Sequence, residues 1–452
     1  MASGRRTVTR RYIPGVDSHT GTQPSATAAA LAARWAAVSL GATLLSGLWL
    51  RTALTWPAVS SGVNLSHAVH AHSHVAFFGW LVLSVASVAA RQTTFSAQAL
   101  GQWRLLVHAL GVLSLVALGA FAVMGYAAPT IALSAVHVLL WIPLVRLLWP
   151  LTHATAAQRA WWRASFRALL LAGAATLMPA VFVARGIREG WWREFGIKLF
   201  LALFINGFAG FAALGLLSSS GAERGDHAGS DNRDPLAWPR RMMTAALIPL
   251  AVLYVSTPAP AAWLVWSARA AVGIMGIGTA WVSVQAMQTP RSGWRWLAWS
   301  PWGVVAILEL VAATGVGTTL LHQRPVTLAF THLVLLLSVS PVLAAALTQR
   351  PHAHPRVDLG ADMRVDLRGN TRVEVRVNVR LNLRMLVATG GGALMCISLA
   401  ALGWPWLSAQ VSALGVNALQ LMTVIAVASA VAATAWLTFL PSIFRADAPE
   451  PR

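Results

Sequence analysis

The sequence predicts an all-α, polytopic membrane protein of about twelve transmembrane helices, with both termini on the cytoplasmic side. Three observations carry this. Of the 452 residues, 57% are apolar and only 11% charged, against the roughly 25% charged content of a soluble domain. Apolar runs of the roughly 20 residues needed to cross a hydrocarbon core recur along the chain between short polar breaks. Arginines gather in alternate breaks, and the 22 tryptophans suit membrane–water interfaces. The expected partner of most of the surface is the lipid bilayer. A net charge of +20 would suggest nucleic acid in a soluble chain, but flanking basic loops account for it here, so no nucleic-acid partner is expected.

Residues 1–28, with Arg5, Arg6, Arg10 and Arg11 ahead of Pro14, are expected to form a disordered cytoplasmic tail. The apolar run that follows is too long for the core of a cleavable leader. Six helices, at about Ala29–Leu50, His67–Ala89, Leu105–Met124, Ala128–Trp149, Phe166–Val183 and Gly196–Leu217, make a first half over 29–217. A Gly/Ser/Asp-rich stretch, 218–241, reads as a flexible cytoplasmic linker. Helices seven to ten follow over 242–348, at Met242–Val255, Ala261–Met287, Trp302–Leu321 and Val326–Leu347. Helices eleven and twelve, Met385–Leu402 and Val411–Leu437, occupy 385–440, and 441–452 is a cytoplasmic tail.

Arg91 and Arg104, Arg159 to Arg167, Arg224 to Arg241, Arg291 and Arg295, and the stretch after Arg350 all fall in even-to-odd loops. By the positive-inside rule these are cytoplasmic. The external loop Arg185–Lys198 is the exception, mixing charges with Trp191 and Trp192, and is a candidate surface for an electron-transfer or membrane partner. In the Arg-repeat loop, 349–384, arginine recurs every four residues from Arg364 to Arg384. Its alternating Val/Leu and polar positions favour a β-ribbon turning near Gly369 and Asn370, able to meet anionic lipid headgroups. The alternative is a low-complexity insertion without a specific role.

The densest chemistry lies at the external start of helix two, with His67, His70, His72 and His74. At 100° per residue, His67, His70 and His74 share a face and His72 points away. Histidines at membrane depth are functional candidates, although an interfacial cap wetted by headgroups explains His67 as well. His332 lies about two turns inside helix ten, which runs in the same direction, so it stands level with the helix-two cluster. His137 and His322 are secondary candidates. Glu309, near the middle of helix nine, either carries protons or pairs with Arg269 of helix eight. The single cysteine, Cys396, excludes a disulfide framework or cysteine metal cluster.

The run His70, Ala71, His72, Ser73, His74 leading to Gly79 and Trp80, with Leu328–Pro341 around His332, resembles the haem-copper oxidase subunit I superfamily and its short bacterial relatives. The resemblance implies an oxidase-like bundle in a bacterial cytoplasmic (inner) membrane. It also implies one b-type haem whose iron is held by His74 or His70, or else His72, together with His332. Helices six and seven lack the histidines that hold copper in that superfamily, and helix ten has one histidine rather than two. No copper is expected, and oxygen or nitric oxide reduction by the usual route is not expected. Electron transfer, haem handling and gas sensing stay open, and a twelve-helix secondary transporter is the competing reading.

Overall fold

The computed structural model describes residues 24–60, 62–186, 190–219, 234, 236–253, 255, 261–287, 293–315, 324–348, 371–403, 405–413 and 416–445. Among them all regular structure is helical. The first six helices are α1 (Pro24–Thr55), α2 (Leu65–Ala90), α3 (Ala97–Met124), α4 (Ala128–Leu148), α5 (Ala156–Ala184) and α6 (Trp191–Leu201, Ala202–Gly210 and Phe211–Ser219 in one rod). Then come α7 (Ala237–Val252), α8 (Ala262–Met287), α9 (Gly293–Ala313) and α10 (Arg324–His332, Leu333–Val339 and Ser340–Thr348). The chain ends with α11 (Thr371–Gly403), a short helix Pro405–Ala413, and α12 (Ala418–Arg445).

Nine helices among the described residues are long and apolar enough to cross a membrane: α1 to α4, α6, α8 and α10 to α12. The protein is therefore a multi-pass helical membrane protein. Of the other three, α7 has 16 residues, too few to be counted with them.

Several expectations are corrected. Helix α1 starts at Pro24 and continues to Thr55, so it takes in the end of the supposed tail and carries Arg51 inside a helix. The Arg185–Lys198 loop is shorter than expected, because α6 already begins at Trp191. Trp191 stacks on Phe195 at 4.9 Å within that first turn, which organises it as a helix end; Arg188 and Glu189 lie outside the described residues. Residues 371–384 are helical, not a β-ribbon. A repeat of four is also close to the helical period, and it outweighs the alternation of residue types. The expected turn at Gly369 and Asn370 lies outside the described residues. The predicted twelfth helix separates into Pro405–Ala413 and α12, which runs on to Arg445.

Helices α2, α6 and α10 share an unusual feature. Each contains a π-helical stretch, Val75–Leu81, Ala202–Gly210 and Leu333–Val339 respectively. Such wide turns leave carbonyls without their usual donors and often mark functional sites. In α10, Ser338 answers this by donating its hydroxyl to the Leu333 carbonyl at 3.0 Å, and the winding ends just before Ser340 and Pro341, where Pro341 has no N–H to give. The three stretches converge in the middle of the bundle: α6 packs its π segment on that of α10, and Phe204 meets Phe77 of α2 at 5.2 Å.

Helices α2 and α10 run parallel and are sewn together at one end only. Trp80 Nε1 donates to Ser340 Oγ at 3.0 Å in a buried contact, and Arg91 donates to the carbonyls of Ala346 and Leu347, both at 2.8 Å. Val82–Ala90 packs on Ser340–Thr348, while the histidine-bearing segments Leu65–His74 and Arg324–His332 do not pack closely on one another. The pair is closed toward its carboxyl ends and parted toward its amino ends.

Candidate functional site

The first turn of α2 is set by Asn64, whose side chain accepts from the backbone N–H of Ser66 and His67. That cap starts the helix early enough for the histidines to follow on its first three turns. His67 is spent at the rim: its Nδ1 lies 3.2 Å from the Val123 carbonyl, and its ring covers Gly125, where the positive φ of 57° and the ring together leave no room for a Cβ.

The other three diverge. His74 turns toward α3, stacking on Phe121 at 3.9 Å and meeting Phe78 and Tyr126 edge-on. His70 joins it against Tyr126 at 4.4 Å. On α4, His137 is buried, stacks on Phe78 at 4.5 Å and places Nε2 3.1 Å from Ser114 Oγ. His70, His74 and His137 therefore belong to an aromatic nest between α2, α3 and α4.

His72 turns the opposite way, toward α1. Its Nδ1 lies 3.1 Å from the Thr43 carbonyl and 3.1 Å from Ser46 Oγ. Gly47 makes this approach possible, since a Cβ there would come within 2.8 Å of the imidazole. His332 turns Nδ1 to the carbonyl of Leu328, four residues back on α10, at 2.7 Å, and His74 does the same with the His70 carbonyl at 2.8 Å. A carbonyl only accepts, so in all three rings Nδ1 carries the proton and, in the neutral ring, Nε2 holds a free lone pair.

Of the helix-two histidines, His72 is the one that acts electrostatically on His332. The electrostatic neighbours of His332 are Arg51 and His72, whereas those of His74 and His137 are in the aromatic nest. The seam explains the level. His72 precedes Trp80 and His332 precedes Ser340 by the same eight residues, and Trp80 and Ser340 are bonded. Both stretches contain a seven-residue π-helical segment, so on these parallel helices the two imidazoles stand at a similar height above that bond. Both are half-buried, as are His70 and His74.

Arg51 completes the group and is the residue that sequence reasoning missed. It neighbours His72, His332 and Cys396, and no ion pair forms at it among the described residues. The signal was available: a lone arginine at the end of the first span that the positive-inside reading makes external breaks that pattern. No group of three or more His, Cys, Asp or Glu side chains able to hold a bare metal ion is found among the described residues.

The expected ion pair between Glu309 and Arg269 is not formed. Glu309 is buried and its Oε2 accepts from Thr279 Oγ1 at 3.3 Å. Thr279 lies ten residues beyond Arg269 on α8, about 15 Å along the axis, which is beyond the reach of the two side chains. Arg269 instead lies over Trp266 at 5.0 Å and against Gly315. Replacing Thr279 by valine leaves the carboxyl without this partner. A loss of about 1–3 kcal/mol is expected, read as a lower midpoint in detergent unfolding, with Arg269→Gln leaving the Glu309 environment unchanged. His322 lies outside the described residues.

No protein-family model and no curated protein matches the chain.

Proposed function

We propose that the protein crosses the membrane twelve times with both termini in the cytoplasm, on the plan of the oxidase subunit I bundle, and that it holds one b-type haem between α2 and α10. The single observation that carries this reading is the matched pair His72 and His332. They stand at a similar height on parallel helices that part toward the imidazoles, and His72 acts electrostatically on His332. A haem bound there would supply a one-electron redox centre.

The chain's own groups have defined parts. The Thr43 and Leu328 carbonyls hold the two rings by Nδ1 and keep Nε2 available, which is how bound imidazoles are commonly oriented. Arg51 supplies a positive charge for an anionic edge such as a propionate. Were His72 and His332 both to hold the haem, no place would be left for a gas, and electron transfer would be favoured over gas sensing. Reduced protein from haem-replete cells should show Soret and α bands that carbon monoxide leaves unchanged. A carbon monoxide shift would contradict two protein ligands.

The secondary-transporter reading rests on Glu309, a buried carboxyl facing Thr279 across α8 and α9. It predicts proteoliposome uptake that fails in Glu309→Gln, and is set aside if uptake is absent or indifferent to that change.

A further inference from the structure

At the end of the bundle remote from the histidines, where α4 ends and α5 and α7 begin, a cleft of about 520 Å³ opens between the two helix starts. Arg159, Arg163 and Arg167 line one wall, spaced four apart and so on one face of α5. Arg240, Arg241 and Thr244 from the first turns of α7 line the other, over a floor that includes Ala156, Ala160 and Ala164. Among the described residues the only acid pairing with these arginines is Asp234, which accepts from Arg240 at 2.6 Å.

Such crowding of like charge is unfavourable unless something anionic joins it. The guanidinium groups are also held in place rather than waving in solvent. Arg163 and Arg167 lie over Trp149 at 5.3 and 5.7 Å, Arg240 lies over Trp161 at 5.6 Å, and Arg159 donates to the Ala154 carbonyl at 3.0 Å. Buried Nε atoms of Arg159 and Arg163 have no partner. Planar forks fixed by stacking and short of acceptors match the oxygens of a phosphate, and both helices present their positive N-terminal ends to the same space.

We infer that this five-arginine cleft is a binding site for phosphate esters, with room for more than one phosphate, as in the headgroup of a diphosphatidylglycerol lipid. Its position at a bundle end is where a lipid headgroup lies. The inference uses no part of the haem reading.

The test compares the full-length protein, delipidated in detergent, with an Arg163→Gln/Arg241→Gln variant, and with Arg185→Gln as a control. Each is given cardiolipin, phosphatidylcholine or inorganic pyrophosphate, with binding read by native mass spectrometry and thermal shift. Wild type and the Arg185→Gln control should retain cardiolipin over phosphatidylcholine, and the double variant should lose about tenfold or more in affinity with an unchanged helical circular dichroism spectrum. Pyrophosphate binding that depends on the same arginines, without cardiolipin retention, assigns the site to a soluble phosphate. Equal retention of both lipids, or equal affinity in wild type and variant, overturns the inference. If the double variant misfolds, Arg241→Gln alone, at an exposed position, must still weaken binding.

Discussion

Replacing His332 by alanine is expected to abolish the low-spin haem spectrum, and replacing His72 is expected to do the same. Each change removes one of the two imidazoles that would hold the haem, and the other alone would not give a low-spin spectrum. His74→Ala and His70→Ala should keep the spectrum, because those rings face Phe121 and Tyr126. Absorption spectra of the four purified variants check this. Loss of a ligand is separable from loss of fold: His72→Gly and His332→Gly should regain low-spin bands when free imidazole is added. If His74→Ala were colourless and His72→Ala normal, the haem would lie on the α3 side of α2 and the pairing argued above would be wrong.

Trp80→Ala is expected to be the most damaging change outside the ligands. Its side chain is 3% exposed and its Nε1 bonds Ser340 at the seam that sets α2 against α10. Truncating a buried tryptophan costs about 3–5 kcal/mol, which denaturant titration in mixed micelles would measure. Ser340→Ala, which removes only the hydrogen bond, should cost about 1 kcal/mol. Because the seam also fixes the height of both imidazoles, Trp80→Ala should lower haem occupancy with His72 and His332 intact. Wild-type stability and occupancy in Trp80→Ala would show that the seam does not position the site.

The helices were largely legible because lipid imposes a simple rule: apolar runs of sufficient length become helices that satisfy their own backbone. What that rule leaves out is where the errors fell. Leu50 ends the apolar run, so Arg51 was read as loop, although α1 holds it in helix for another turn. The π-helical winding below His74 and His332 leaves no mark in composition, since Val75–Leu81 and Leu333–Val339 are apolar stretches like any other. Without it and without the Trp80–Ser340 bond, the sequence places His74 or His70 ahead of His72.

The Arg269–Glu309 expectation failed for a different reason. Opposite charges on adjacent helices suggest a pair, but height along the axis decides whether they meet, and no sequence pattern specifies which turn of α8 faces Glu309. In the 371–384 segment two periods competed, one of two and one of four, and the helix took the second. The five-arginine cleft was legible as charge and illegible as a site. Arg159, Arg163 and Arg167 served to orient the bundle, and only the fold sets them opposite Arg240 and Arg241.

The most direct measurement of the central claim is the haem content per chain of detergent-purified protein, set beside that of a His72→Ala/His332→Ala double variant from the same haem-replete cells. One haem b per wild-type chain and none in the variant is the predicted result. A colourless wild type, or equal haem in both, would contradict it.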